Sequence, residues 1–296
     1  MAMPTTAECA VVQHIAGKTC VPKRFERLVT LDSMAFEYAV AAGLAPIATV
    51  RSDFHTSLEP LLTEATDIGT TGEPSLEKIL DLKPDLILGL DFHQSIYPQL
   101  AQMAPTLLIS FEHSGQWKDI FLQMAATLNQ TTAANHAMAA YQARAADFQA
   151  QMGARLDDLQ VSVLRLYPDT INLYLADSFP GTVLQDAGLA RPPAQAIDAA
   201  EAEQRFGNPI QTSISRELLA QADGDVIFLW TGENTAEENQ RLQQQLEALQ
   251  QDPLWRQLKA VQSGQAYQVP SYWIGSGPIA ANAVLDDLFT YLVEGS

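Results

Sequence analysis

The stretch Thr131 to Leu156, TTAANHAMAAYQARAADFQAQMGARL, has no proline and a single glycine. Its larger apolar side chains fall at Met138, Tyr141, Phe148, Met152 and Leu156, and Ala145 completes the three-and-four spacing of one helix face. This pattern predicts a helix. At 1.5 Å per residue some 25 residues reach roughly 37 Å, the span of a small domain. A helix that long is either a core helix or a strut joining two lobes.

The flanking segments favour the strut, because they resemble each other. Before the helix stands LVTLDSMAFEYAVAAGLAP and after it LYLADSFPGTVLQDAGLARP, so that Asp32-Ser33 aligns with Asp177-Ser178 and Ala42-Gly43-Leu44-Ala45 with Ala187-Gly188-Leu189-Ala190 without a gap. Further on, SLEKILDLKPDLI matches SRELLAQADGDVI, pairing Ser75 with Ser215, Glu77 with Glu217 and Asp85 with Asp225. Two matches in one order at nearly one offset indicate a shared supersecondary plan. The expectation is two Rossmann-like α/β lobes with parallel sheets, joined by one long helix, with a ligand cleft between them. The boundaries read as an N-terminal segment 1–26 without a strand of its own, a first lobe 27–128, the interlobe helix 129–158 and a second lobe 159–296.

A formal charge of −18 argues against nucleic acid and anionic lipid surfaces, which need clustered Lys and Arg. No apolar run approaches the ~20 residues of a membrane span, so a soluble chain is expected. The start, MAMPTTAEC, shows neither a charged n-region nor an apolar h-region, so any export signal is removed or absent. The two cysteines, Cys9 and Cys20, make a poor metal site and form no CxxC; a loop-closing disulfide in an oxidising compartment is favoured over two unlinked thiols.

Strands RLVTLD, PIATV, DLILGL and TLLIS alternate with helices in the first lobe, and VSVLRLYP, TINLYLADS, DVIFLWTG and AYQVPSYW are the strands of the second. Ligands of such sheets sit beyond the strands' carboxyl ends. The loops after residues 32, 50, 90 and 110 therefore form one half of the site. Tyr174, Ser178 to Gly181, Trp230-Thr231 and Tyr272 to Gly277 face them.

Three chemistries compete for that cleft. Catalysis is not expected, since GxSxG, HExxH, P-loop and GxGxxG motifs are all missing. Direct metal ligation would use His55, His93 and His113 with Asp53, Asp91 or Glu112, all just after strands, although none of the spacings is a metal signature. A bulky anionic ligand would use arginine and aromatics. Arg165 lies inside an apolar strand, where it needs either a carboxylate partner or a ligand, and Arg51 ends a strand. Phe92, Tyr97, Phe111, Trp117, Tyr174, Phe179, Trp230, Tyr272 and Trp273 are candidate walls.

The blocks VQHIAGKTCVPK, GEPSLEKILDLKPDLILG, VSVLRLYPDTINLYLADSFPGTVLQDAGLARP, ISRELLAQADGDVIFL, DPLWRQLKAVQSGQAYQV and YWIGSGPIAANAVLDDL run along nearly the whole chain. In that order they resemble the iron–siderophore substrate-binding proteins of bacterial ABC importers, built on one rigid interlobe helix. The resemblance implies a ferric siderophore, of hydroxamate or carboxylate type, with iron held by siderophore oxygens, no cofactor and no protein metal ligand. It places Arg165 and Trp273 at the ligand, and the reading of the strand-end loops adds Arg51, Phe92, His93, Phe111, Tyr174, Ser178, Trp230 and Tyr272 around them. Glu77 and Glu217 would dock on arginines of the two permease subunits. The implied setting is the periplasm, or the cell surface for a lipoprotein, with a monomer served indirectly by an outer-membrane receptor and small closure on binding. A direct metal-ion, haem or cobalamin carrier of the same fold is the alternative reading.

Overall fold

The computed structural model of the protein describes residues 9–51, 56–70, 72–167, 170–232 and 236–295. Residues 9–22 open with a hairpin, β1 (Cys9–His14) and β2 (Gly17–Pro22), paired antiparallel. This corrects the expectation of a strandless leader: the segment has two strands. Gly17 takes a φ of 136°, which lets a two-residue connection reverse the chain. The hairpin is anchored to the first lobe by Thr19, whose Oγ1 donates to the Thr106 carbonyl at 2.7 Å. Cys9 and Cys20 are bridged across it, their Cα atoms 5.4 Å apart.

The first lobe contains β3 (Leu28–Thr30), α1 (Ser33–Ala41), β4 (Ala48–Arg51), β5 (Thr66–Thr70), β6 (Glu73–Pro74), α2 (Leu76–Asp81), β7 (Leu86–Leu90), α3 (Tyr97–Met103), β8 (Thr106–Ile109) and α4 (Trp117–Thr127). Its sheet order is β6-β5-β4-β3-β7-β8, parallel except at the β6 edge. The central strands are buried on both faces because helices cover both, which is why they read as unbroken apolar runs.

The strut is α5 (Thr131–Met152), continued by a 3₁₀ turn to Leu156. Its buried residues are Ala134, Met138, Tyr141, Ala145, Phe148 and Met152, the face read from the spacing.

The second lobe follows with β9 (Val161–Leu166), β10 (Ile171–Tyr174), α6 (Phe179–Asp186), α7 (Ala199–Phe206), β11 (Gln211–Ile214), β12 (Val226–Thr231), α8 (Ala236–Gln251), α9 (Lys259–Gln262), β13 (Ala266–Val269) and α10 (Pro278–Leu288). Its order is β11-β10-β9-β12-β13. Strands β9, β12 and β13 are parallel, while β10 runs antiparallel to both β9 and β11. This sheet is thus mixed, a departure from the parallel expectation. The four residues between β9 and β10 are too few for a crossover, which takes a dozen or more, so the chain must turn back as a hairpin.

The lobes are not separate globules. One apolar cluster runs from Leu28 and Leu88 through α4, α5 and α10 to Val161, Phe228 and Trp273. Polar ties cross it as well. Trp117 Nε1 donates to Thr182 Oγ1 at 3.0 Å, Tyr141 Oη donates to Asp186 at 2.7 Å, and Lys118 pairs with the same carboxylate. Where the loop after β8 meets the second lobe, a side chain at Gly115 would stand 1.8 Å from the Asp177 carbonyl. Only glycine permits that approach.

Candidate functional site

A cavity of about 370 Å³ opens between the lobes, within the size range of small-molecule sites. The first lobe contributes Met34 from α1 and Phe111 to Ser114 from the loop after β8; the second contributes Arg165, Tyr167, Tyr174, Asn208 to Gln211, Ile274 and Ser276. Of the residues expected at the ligand, Phe111, Arg165 and Tyr174 are brought together here.

Arg165 is the cation of this group. It is 5% exposed, and its guanidinium lies between two rings, 3.9 Å from the Tyr167 centroid and 4.2 Å from that of Trp230. It donates to Tyr167 Oη at 2.7 Å and to the Gly232 carbonyl at 2.8 Å. Stacking between π faces fixes the plane of a guanidinium while leaving its charge intact, which suits recognition of a carboxylate or other oxyanion. Strand register explains the arrangement: Arg165 pairs with Trp230 across the parallel β9–β12 ladder, so both side chains leave the same face. Trp230 is fully buried and stands behind Arg165, also edge-on to Tyr174. Burial, with the neighbouring Tyr167, holds the Tyr174 phenol above its ordinary pKa, so it is a neutral hydroxyl.

The remaining expected residues lie elsewhere. Arg51 donates to the carbonyls of Leu62 and Ala65 at 3.0 and 2.9 Å and so ties down its own loop. Phe92 is 46% exposed beside buried His93, whose Nδ1 is 3.7 Å from Asp32 Oδ2. Ser178 is enclosed as the N-cap of α6, accepting from the Gly181 N–H at 3.1 Å. Tyr272 donates to Asp287 at 2.9 Å. Trp273, expected at the ligand, is fully buried: its ring packs on Phe228 with centroids 4.6 Å apart and its Nε1 donates to Asp287 at 2.7 Å. It turns into the core of the second lobe, and its neighbours Ile274 and Ser276 face the cavity instead. Among the wider set of walls, Tyr97 packs on His14 of the leading hairpin, while Trp117 and Phe179 are buried edge-to-face at the lobe junction.

Of the histidines expected for direct metal ligation, His113 lines the cavity, with Nδ1 enclosed and without a hydrogen-bond partner, and His93 is buried and does not line it. Asp53 and His55 lie outside the described residues. Asp91 accepts from the Phe111 N–H at 3.0 Å and Glu112 from Gln116 at 3.0 Å. Among the described residues no three His, Cys, Asp or Glu side chains are placed to share an ion.

Several lining residues were not anticipated. Tyr167 stands directly after β9, at the end of VSVLRLY. Asn208-Pro209 is a turn dipeptide. In the structure Asn208 Oδ1 accepts from the N–H groups of Ile210 and Gln211, and Asn172 donates to Gln211 Oε1 at 3.1 Å, so this edge presents an oriented amide.

A family model described as "Periplasmic binding protein" matches residues 28–273. The "Probable siderophore-binding lipoprotein YfiY" of Bacillus subtilis is 31% identical over 98% of this chain and 90% of its own length. The "Achromobactin-binding periplasmic protein" of Dickeya dadantii is 29% identical, over 89% of this chain and 85% of its own. Among solved structures, Staphylococcus aureus SirA complexed with staphyloferrin B superposes with a TM-score of 0.80 at 25% identity, covering 96% of this chain and 98% of that one.

Proposed function

The chain belongs to the periplasmic binding protein family, and from that premise we propose that it captures a ferric siderophore in the interlobe cavity and delivers it to an ABC importer. The observation that carries this reading is Arg165, clamped between Tyr167 and Trp230 where it lines the cavity. The siderophore holds the iron through its own oxygens. Arg165 meets its carboxylate or iron-bound oxygens, Phe111 and Tyr174 cover its apolar parts, and Gln211 and His113 add polar contacts. A charge-assisted, planar contact of this kind selects for an anionic ligand of carboxylate or hydroxamate type. The protein acts by binding, not by catalysis. It works as a monomer in the periplasm, where an outer-membrane receptor supplies the ligand, or at the cell surface as a lipoprotein, and Glu77 and Glu217 dock it on the permease.

Fluorescence-quenching titrations with ferric citrate, a ferric hydroxamate, a ferric catecholate, haem, cobalamin and free zinc test the proposal. Saturable binding of one of the ferric complexes, weakened roughly ten- to hundredfold in Arg165→Ala, is the expected result. Binding of only free metal, haem or cobalamin would overturn it.

A further inference from the structure

Helix α10 starts without a cap of its own. Its N-cap is Gly277, which has no side chain, and four N–H groups at a helix start require partners. The partner comes from the other lobe. Glu37, on α1 and 0% exposed, accepts from the Ala280 N–H at 2.8 Å through Oε1. This is the third helical position, one that an N-cap side chain normally serves. A Cβ on Gly277 would lie 2.5 Å from the Glu37 carboxyl, so this glycine leaves room for the carboxylate. Glu37 thus replaces a local cap with one that spans the lobes.

Its position links it to the ligand cavity on both sides. Met34 lies one turn before it on α1 and lines the cavity from the first lobe; Ile274 and Ser276 lead directly into the capped helix and line it from the second. Ile279 also packs on the first-lobe cluster of Phe36 and Leu58. We propose that Glu37 is a positioning residue that sets the separation of the two cavity walls, by capping α10 from the opposite lobe. The consequence for binding rests on the cavity being the siderophore site. The separation itself does not, and it is measured without ligand so that the two ideas can fail independently.

The test is the distance between nitroxides on Gln99→Cys and Gln204→Cys, at exposed positions of α3 and α7, read by pulsed electron resonance in the otherwise unaltered chain. The native cysteines are bridged and take no label. One narrow distance distribution is expected for the parent protein and for Glu37→Gln, whose amide oxygen can still cap. A broadened or displaced distribution is expected for Glu37→Ala and for Gly277→Ala, which expels the carboxylate without altering it. If Glu37→Ala does not fold, Glu37→Gln and Gly277→Ala decide, and the proposal stands only if the first is unchanged and the second altered. Distributions that coincide across the variants would reduce Glu37 to a local stabiliser and overturn the proposal.

Discussion

The Asp-Ser dipeptide that recurs in the two lobes is used differently in each. In the first lobe Asp32 is the N-cap of α1, fully enclosed, accepting from the N–H groups of Ala35 at 2.7 Å and Leu90 at 3.2 Å. In the second the cap passes one residue on to Ser178, and the freed Asp177 turns aside to the Ala199 N–H at the start of α7. The N-cap of α6 is therefore a neutral hydroxyl where that of α1 is an acid, and Arg165 lines the cavity from the second lobe. The first lobe instead buries Asp32 and Glu37 against helix N-termini, whose partial positive charge they satisfy. One backbone plan therefore yields two electrostatic characters, and among the described residues that line the cleft the one arginine, Arg165, comes from the second lobe.

The largest expected effect tests the acid side of this contrast. Burial raises the carboxyl of Glu37 to about 7, against 4.5 in an unfolded chain. Between those values the unfolded state releases a proton that the folded state keeps, so the contribution of Glu37 is fully present below pH 4.5 and is lost as pH rises towards 7. Denaturant melts of the parent and Glu37→Gln across pH 4.5 to 8 should diverge by about 3 kcal/mol over that window, the parent losing ground as pH rises. Asp32 is likewise raised to about 7, while burial lowers His93, which opposes the trend. Both are common to the two proteins and drop out of the difference. Parallel curves would mean that Glu37 does not titrate in this range.

The cation side is tested by the two strand-end arginines. Arg165→Ala should weaken binding of the ferric ligand roughly ten- to hundredfold, the equivalent of about 1.5–3 kcal/mol for a charge-assisted contact. Arg51→Ala should leave affinity unchanged, because its guanidinium is spent on the Leu62 and Ala65 carbonyls. Equal losses in both variants would erase the distinction between the lobes.

How much of this was legible in the sequence follows from the physics of each element. The helix was readable from one apolar face sustained over six turns, and its role as a strut between two lobes from the flanking repeat, which survives in uncharged turn residues such as Gly43 and Gly188. The direction of β10 was not readable, since INLY is as apolar as a parallel core strand and only the length of its connection betrays it. Trp273 was misplaced for a similar reason. A buried tryptophan and a cavity tryptophan differ in which way one 3₁₀ turn faces, and here the carboxylate of Asp287, fourteen residues on, takes the indole N–H. Tyr167 was overlooked because its role depends on Arg165 and Trp230, which are neighbours only across the ladder.

A smaller effect is expected from the bridge in the leading hairpin. Closing a loop of about 12 residues would contribute roughly 2–3 kcal/mol to a featureless chain. The β1–β2 ladder already pairs those strands, so Cys9→Ser/Cys20→Ser should cost less than that, about 1–2 kcal/mol by denaturant midpoint. A larger loss would show that the bridge, and not the ladder, holds the hairpin on the first lobe.

The smallest effects separate the second repeated pair, Ser75/Glu77 and Ser215/Glu217. Matching serines two residues before matching glutamates predict two identical capped turns, yet the structure keeps only one. Ser75 caps α2, accepting from the Lys78 N–H at 3.3 Å, whereas the second-lobe segment winds as a 3₁₀ turn from Arg216 to Ala222 with no side-chain cap. There Ser215 bonds the Glu217 carboxylate instead and lowers its pKa. Ser75→Ala should therefore cost about 1 kcal/mol of stability, and Ser215→Ala almost nothing. Both glutamates are exposed, as permease docking requires, and exposed ion pairs are individually weak and screened by salt. Single Glu→Ala changes should leave transport by a reconstituted importer nearly intact, the double change should lower it severalfold, and ligand affinity should not move in any of them. If the double variant transports normally, Glu77 returns to the bland role of an acid in a capped first turn. Glu217, whose segment lacks the cap, would then have no role that its neighbours explain.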